Sequence, residues 1–533
     1  MNLLKDKWIK VIRKDGSLDE IVPFEITAQF QENPIVDVVT PRADFRGAIY
    51  QFFIGLFQTV YCPNDDQDWQ DKFNTPPTPG DLKQETDKVA FAFELFGRQH
   101  RFMQDISLAK NQNEKKISQL FIESPGDNTL IQNRDHFIKR NTINTICPKC
   151  AALALFTLQT NAPSGGQGHL TSIRGGGPLT TLLKYIPKTD FPTLWQDIWL
   201  NILPKNSFNI GKGVVGQNYE FVFPWQTKDF YKVNKNGNTT TQDLHPFAVY
   251  WSNSRRIFLQ EVQQSANCDI CNEHSQIQIK NYFTGPQGID YSGGGWIHPL
   301  SPYYIDKNQP LVYHPQPGGI LYDNWLAFVY TRSTQSQNAK VIQEFLQARS
   351  VPDEQTQIWT FGYDMDKMKA RAWYESLIPI YRIDSNYIQT YEAILSSILT
   401  VASEVAKNLE KKVKQAWFDK PIGDVSYLKI NFFKLTQNEF YSLAKSIRDN
   451  LSSQNPFDDP SKEKWLKYLN TKALELFDLY VESGAIEFED VKRIVKARNS
   501  LIGENLGSSM KKIIGLPQDG TTTKVKSKKR SSN

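Results

Sequence analysis

The hydrophobic pattern changes character twice along this chain. Near the start, Trp8 to Ile12 and Leu18 to Val22 flank Lys14-Asp15-Gly16, which predicts a hairpin closed by an Asp-Gly turn. Ala43 to Tyr61 is apolar and aromatic throughout, with Pro41 just ahead, and predicts a buried helix. Asp81 to Phe96 places Val89, Phe93 and Phe96 on one face and predicts another. Between Ser124 and Thr145 the periodicity is lost, so an exposed loop is expected. From Thr181 to about Pro379 the runs are short. Tyr219 to Phe223, Arg256 to Leu259, Gly319 to Tyr322 and Trp325 to Tyr330 predict strands, and Gln337 to Ala348 a helix. Proline joints separate them, among them His245-Pro246, His298-Pro299 and His314-Pro315. There is no repeat and no βαβ rhythm.

After Arg382 the period becomes helical. Ile394, Ile398, Val401, Val405 and Leu409 recur at three- or four-residue steps between Tyr387 and Trp417. Thr436 and Glu439 have capping-box spacing, which predicts a helix start running to about Leu451. Asp459-Pro460 reads as an N-cap with proline at the first helical position. The following helix carries Leu466, Leu469, Ala473, Leu476 and Tyr480, and Gly484 ends it. A fourth is expected from about Glu487 to Ile514. The fold class is therefore α+β. Residues 1–383 form a large irregular N-terminal domain, 384–515 an all-α four-helix bundle, and 516–533 a basic, disordered tail.

Composition adds limits. A length of 533 residues exceeds what one core usually serves. The net charge of +5 lies mostly in the tail, where Lys524, Lys526, Lys528, Lys529 and Arg530 face one acid, Asp519. A nearly neutral body does not coat a long nucleic acid, so any such contact should be local. The opening MNLLKDKWIKV lacks an apolar run suited to a secretory signal, and no stretch approaches a membrane span. A cytoplasmic protein is expected, where cysteine pairs are more often metal ligands than disulfides.

Four of the five cysteines fall in two Cys-x-x-Cys pairs, Cys147 with Cys150 and Cys268 with Cys271. Each pair places two thiolates on one side of an ion, so a structural zinc site is the reading, with zinc as the cofactor. The alternatives are four reduced thiols near turns, or Cys268 and Cys271 as a redox pair. His274 stands three residues after Cys271 and offers a Cys3His variant. Cys62 is read as core. After the first pair and its apolar segment comes a glycine-rich block, Ser164-Gly165-Gly166-Gln167-Gly168, then Arg174-Gly175-Gly176-Gly177-Pro178. Lacking side chains, such backbone approaches another molecule closely; a plain flexible connection is the other reading. The string Gly211-x-Gly213-x-x-Gly216 is rejected as a dinucleotide site because Tyr219 to Phe223 reads as a strand, where a helix should follow. No Walker A string, Gly-x-Ser-x-Gly elbow or His-Glu-x-x-His occurs. Lys492, Arg493, Lys496 and Arg498 offer phosphate contacts, with a solvated helix face as the default reading.

Taken in order, NLLKDKWIKV, FGRQHRFMQD at Phe96 to Asp105, CPKC, APSGGQGHLTSIRGGGPLTT, CDIC, WIHPLSP at Trp296 to Pro302 and FGYDMDKMKARAWYE at Phe361 to Glu375 resemble the CasA family. That family provides the large subunit of the type I-E CRISPR Cascade surveillance complex. The resemblance implies a non-enzymatic subunit that reads the PAM of double-stranded target DNA from the minor groove, starts unwinding, and recruits the helicase-nuclease in antiviral defence. It implies other Cascade subunits and the crRNA as partners. By position, the family's glycine loop falls on Gly165, Gly166, Gln167 and Gly168, with glutamine in place of the middle glycine. The wedge hairpin tip falls on Asp366, Lys367 and Met368, with lysine at a position where some members present glutamine. The lysine that reaches the minor groove aligns with Gln287, the nearest lysine being Lys280. Phe137, Lys139 and Arg140 match the segment that contacts the crRNA and backbone subunits. A zinc-dependent nucleic-acid-processing enzyme and a purely structural assembly protein are the competing classes.

Overall fold

The computed structural model describes residues 1–110, 113–133, 140–166, 168–188, 190–208, 219–226, 237–331, 335–366, 369–417, 423–482 and 490–517. Two compact units divide the chain. One comprises Met1–Ile320 with Ala327–Ile380, and the other comprises Leu321–Leu326 with the chain from Tyr381 onward.

The first unit mixes helices with small antiparallel sheets. Strands β1 (Ile9–Arg13) and β2 (Leu18–Ile21) form the hairpin expected around Gly16, and β3 (Ile35–Val38) pairs on the other side of β1. Helix α1 (Ala43–Val60) follows and is buried almost throughout, because its residues are apolar all round. Aromatic rings fill the space beside it: Phe52 meets Phe93, Phe102, Phe156 and Trp251 edge-on, at centroid distances between 5.9 and 6.1 Å. A second sheet orders β4 (Glu114–Lys116), β7 (His274–Gly285) and β6 (Arg256–Asn267), so that β6 and β7 make a long hairpin. Helix α2 (Pro148–Asn161) lies in the same unit. A third sheet orders β12 (Lys369–Pro379), β11 (Thr356–Asp366) and β5 (Thr180–Tyr185), and a small fourth orders β10 (Ser336–Gln337), β8 (Tyr303–Asp306) and β9 (Gln309–Val312).

The second unit is helical. Helix α3 (Ile388–Trp417) packs against α4 (Ser426–Asp449), α5 (Asp459–Glu482), α6 (Val491–Leu506) and α7 (Ser508–Ile514). Ile398, Val401, Val405 and Leu409 of α3 are fully buried. Two of the basic residues of α6 serve structure, while Lys492 and Lys496 are exposed. Arg493 donates to the carbonyls of Ala416 (2.9 Å) and Trp417 (3.2 Å), satisfying the C-terminus of α3. Arg498 makes a two-pronged pair with Asp478 at 2.7 Å.

Several expected elements differ. Tyr219–Phe221 and Tyr322–Asn324 are 3-10 turns, and Trp325–Val329 is a helix rather than a strand. The helix expected over 81–96 stops at Asp87 and gives way to a 3-10 turn, Ala90–Phe93. Thr436 is not a helix start: α4 runs straight through it, and its hydroxyl bonds the Phe432 carbonyl (2.8 Å) and Tyr322 (2.9 Å). The cap ahead of α5 is Asp458, whose carboxylate accepts from the Ser461 amide at 2.9 Å, one residue earlier than expected. The last helical stretch breaks at Gly507 into α6 and α7. Among the described residues, no helix is long and apolar enough to cross a membrane.

Candidate nucleic-acid interface and cysteine cluster

Cys147 is the N-cap of α2, Pro148 occupies the first helical position, and Cys150 follows one turn on. Cys268 and Cys271 form the turn between β6 and β7, where Asn272 takes a left-handed backbone. The four sulfurs lie within 4.8 Å of one another, and three of the residues are buried. Cys147 Sγ and Cys271 Sγ are 3.7 Å apart. Tetrahedral zinc with bonds of about 2.3 Å requires sulfurs about 3.8 Å apart, so the donor set fits that ion in type, number and spacing. His274 stands outside the cluster: its ring nitrogens contact Ser265 Oγ (2.7 Å) and Asn267 Oδ1 (3.2 Å). Cys62 lies elsewhere, its thiol pushed up to about 12 by burial.

Hydrogen bonds within the cluster raise the thiols of Cys147 and Cys150 and lower those of Cys268 and Cys271. Lys149 pairs with Glu20 and Glu273, and Lys10 pairs with Glu273, so the charges flanking the cluster are matched. Hydrogen bonds from Cys147 and Cys150 hold the Cys268 thiol far below its ordinary value. Hydrogen bonds to Cys147, Cys268 and Cys271 push the Cys150 thiol up. Four thiolates at this spacing repel one another, and a dication is the chemical means of deprotonating all of them together.

Helix α2 and the β6–β7 hairpin both run from this cluster toward the glycine block. Near the cysteine end, Ile146 and Ile279 exchange backbone bonds at 3.0 and 2.9 Å. At the other end, the fully buried Gln159 donates to Asn253 Oδ1 (2.5 Å) and to the Arg255 carbonyl (2.8 Å), and accepts from the Arg255 amide (3.0 Å). The block between Ala162 and Pro178 is thus hung from a bracket tied at both ends. A Gln159→Leu variant removes these bonds and leaves the part-buried Arg255 amide without its acceptor. It is expected to lower stability in urea by about 3 kcal/mol and to speed hydrogen exchange at the amides of 162–177. Unchanged exchange there would contradict the bracket.

The glycines do different jobs. A Cβ on Gly168 would lie 2.5 Å from Pro286 Cβ, and one on Gly176 would lie 2.7 Å from Pro163 Cα, so both are packing requirements. Gly166 has φ +91° and open space where a side chain would go. It is the tip that presents bare backbone. Arg174 is fully buried and reaches Thr180 Oγ1 (2.9 Å), Ser301 Oγ (3.1 Å) and Gln51 Oε1 (2.5 Å), locking the second half of the block. Burial holds its guanidinium down to about 10.

Two of the expected contact regions, Gln287 and the β11–β12 hairpin, meet this block. The Gln287 amide donates to the Gly168 carbonyl at 2.7 Å, and the exposed Gln287 sits at φ +60°. Downstream, the chain enters β5, whose Thr180 pairs with Phe361 of β11. A Cβ on Gly177 would lie 2.7 Å from Met365 Cγ and 2.9 Å from the Tyr363 carbonyl. The exposed Asp366 follows Met365 and pairs with Lys369 across the end of the β11–β12 hairpin. Tyr363 OH bonds Asp44 at the start of α1, and Arg371 pairs with Asp364 at 2.7 Å, bracing the hairpin just below its tip. Arg140 is exposed and donates to the Leu130 carbonyl (2.9 Å) and Asn133 Oδ1 (3.0 Å). Gln167, Lys367, Met368, Phe137 and Lys139 lie outside the described residues, as do the Gly211–Gly216 string and the tail from residue 518.

Comparison with known proteins decides the family. The sequence model described as CRISPR-associated protein Cse1 matches residues 2–476. The chain belongs to the Cse1 family. Among solved structures it is similar to CasA from Thermus thermophilus, with 17% identity, 97% of this chain and 99% of that one covered, and a TM-score of 0.65. It is also similar to a second Thermus thermophilus structure, named CasA (Cse1), with 17% identity, 95% and 99% coverage, and a TM-score of 0.63. A chain of a CRISPR RNA-guided surveillance complex matches at 13% identity, 94% and 99% coverage, and a TM-score of 0.67. The paired names CasA and Cse1 make the family match and the sequence resemblance one finding. At these identities the structural likeness establishes the fold. In this Cse1-family chain, the residues that sequence reasoning missed are Gln159, Arg174 and Arg255. Each is a polar side chain next to a weakly patterned loop, and only the fold shows what it holds.

Proposed function

We propose that this chain is the non-catalytic large subunit of a crRNA-guided type I-E Cascade surveillance complex. It recognises the PAM in double-stranded DNA through the minor groove, helps start unwinding of the adjacent duplex, and recruits the helicase-nuclease. The observation that carries the reading is the contact of one glycine block with both Gln287, through Gly168, and the β11–β12 hairpin, through Gly177. A rigid backbone tip beside a hairpin suits the task. The minor groove offers acceptors shared by A·T and T·A, so backbone and amide groups read it with tolerance. A wedge that unstacks a base step costs a few kcal/mol, which contacts on the intact duplex offset. The guide supplies the remaining specificity by base pairing. Gly165, Gly166, Gln167, Gly168 and Gln287 take the duplex, and Asp366, Lys367 and Met368 the wedge. Phe137, Lys139 and Arg140 face the guide and neighbouring subunits.

Cys147, Cys150, Cys268 and Cys271 hold a zinc ion in this reading. With four protein ligands the ion is a brace and leaves no open position for chemistry.

Gly166→Asp tests the proposal. It introduces a carboxylate at the tip and a side chain at φ +91°. The assembled complex is expected to bind PAM-bearing duplex at least tenfold more weakly, about 1.4 kcal/mol, while guide-RNA assembly is unchanged. Equal duplex affinity would overturn the reading.

A further inference from the structure

Behind the glycine loop lies a cavity of about 430 Å³, lined by Lys115, Gln119, Ser164, His169, Arg255 and Thr284 among others. No aspartate or glutamate is among its lining residues. Arg255 dominates it. One guanidinium nitrogen donates to the Pro163 carbonyl, and another lies against Gly165, 2.5 Å from where a Cβ would stand. Its Nε is buried and has no hydrogen-bond partner among the described residues. Among the described residues no carboxylate compensates the charge: burial holds the guanidinium down to about 10, countered by Tyr282. The same positive field, after burial itself, depresses His169.

A buried guanidinium without a carboxylate is costly unless an anion completes it. Its fork of donors matches the paired oxygens of a phosphate. The cavity adjoins Gly165 and so sits directly behind the tip at Gly166. We propose that Arg255, with Ser164 and His169 around it, forms a phosphodiester subsite that grips one backbone phosphate of the DNA duplex whose groove meets the glycine loop. The subsite rests on the minor-groove reading and extends it: Arg255 fixes the register of the duplex, while the loop tip reads it. The guanidinium also couples the two, because the group that takes the phosphate holds the Pro163 carbonyl at the root of the loop.

The test uses the assembled guide-RNA complex and PAM-bearing duplexes in which single phosphates are replaced, one at a time, by neutral methylphosphonates. With the unaltered protein, one position beside the PAM is expected to cost about tenfold in affinity, and that penalty is expected to vanish in Arg255→Gln. Arg255→Gln itself should lower the slope of log affinity against log salt by about 0.9, the value for one released counterion, whereas Arg255→Lys should keep the slope. Glutamine retains a donor for the Pro163 carbonyl, and thermal unfolding reports whether either variant is misfolded. If no methylphosphonate penalty depends on Arg255, the subsite is overturned. If Arg255→Gln instead loosens guide RNA from the complex, the phosphate belongs to the guide and the proposal as stated fails. Gly166→Asp in the same assay separates the two readings: weakened binding there with an unchanged Arg255→Gln slope removes the subsite alone.

Discussion

A Cys150→Ser, Cys268→Ser double variant is expected to lose one equivalent of zinc by native mass spectrometry and to unfold at markedly lower urea. The cluster joins the first turn of α2 to the tip of the β6–β7 hairpin, and no covalent bond does so. An ion present at about 1,000 times its dissociation constant contributes about 4 kcal/mol to the folded state, a large share of an ordinary domain's stability. Serine preserves shape but is a poor zinc ligand, so the four-sulfur site is reduced to two thiolates. Chelation of the unaltered protein should reproduce the effect, and so should acid, because protonated thiols release the metal. Hydrogen exchange should rise first around Asn267–His274, the turn that carries two of the four sulfurs. Equal stability with and without chelator would show that the bracket stands without its metal.

Gly177→Val is expected to separate reading from unwinding. The new side chain would meet Met365 Cγ and the Tyr363 carbonyl at less than 3 Å, on a backbone at φ +64° that a β-branched residue resists. Such strain costs about 1–3 kcal/mol, and the inexpensive relief is to move the hairpin away from the glycine block. Opening of the first base pairs, followed by a fluorescent base analogue, should therefore fall about 5- to 140-fold on the 1.4 kcal/mol-per-decade scale. Guide assembly should be intact, and duplex affinity should change less than opening does. Loss of both in equal measure would mean that the hairpin and the loop act as one element.

Much of this site was legible before the fold was known, because its chemistry depends on short local signals. Two Cys-x-x-Cys pairs admit few readings, and the structure brings all four sulfurs together. The glycine block announces close backbone approach by composition, though only Gly165 and Gly166 are exposed, while Gly168, Gly176 and Gly177 pack against other segments. What stayed hidden depends on distant partners. Arg174 reads as a loop cation, yet it is fully buried among Gln51, Thr180 and Ser301. Gln159 reads as one more polar position on an apolar helix, yet it ties α2 to the segment before β6. Thr436 and Glu439 spell a capping box, but α4 had already begun at Ser426, and the threonine bonds back to Phe432 instead. Trp325–Val329 looks like a strand by its bulky residues and is helical. Tertiary context overrides local preference wherever a short aromatic run finds a buried niche.

The central claim is that a metal-braced, side-chain-poor loop and the end of a neighbouring hairpin engage one stretch of duplex. Photo-crosslinking groups placed at positions 166 and 366 of the assembled complex, with the PAM-bearing duplex bound, test it most directly. The account predicts adducts from both positions to the same duplex at the protospacer edge, within one helical turn, about 34 Å. Adducts from only one position, or from two sites separated by more than that turn, would contradict it.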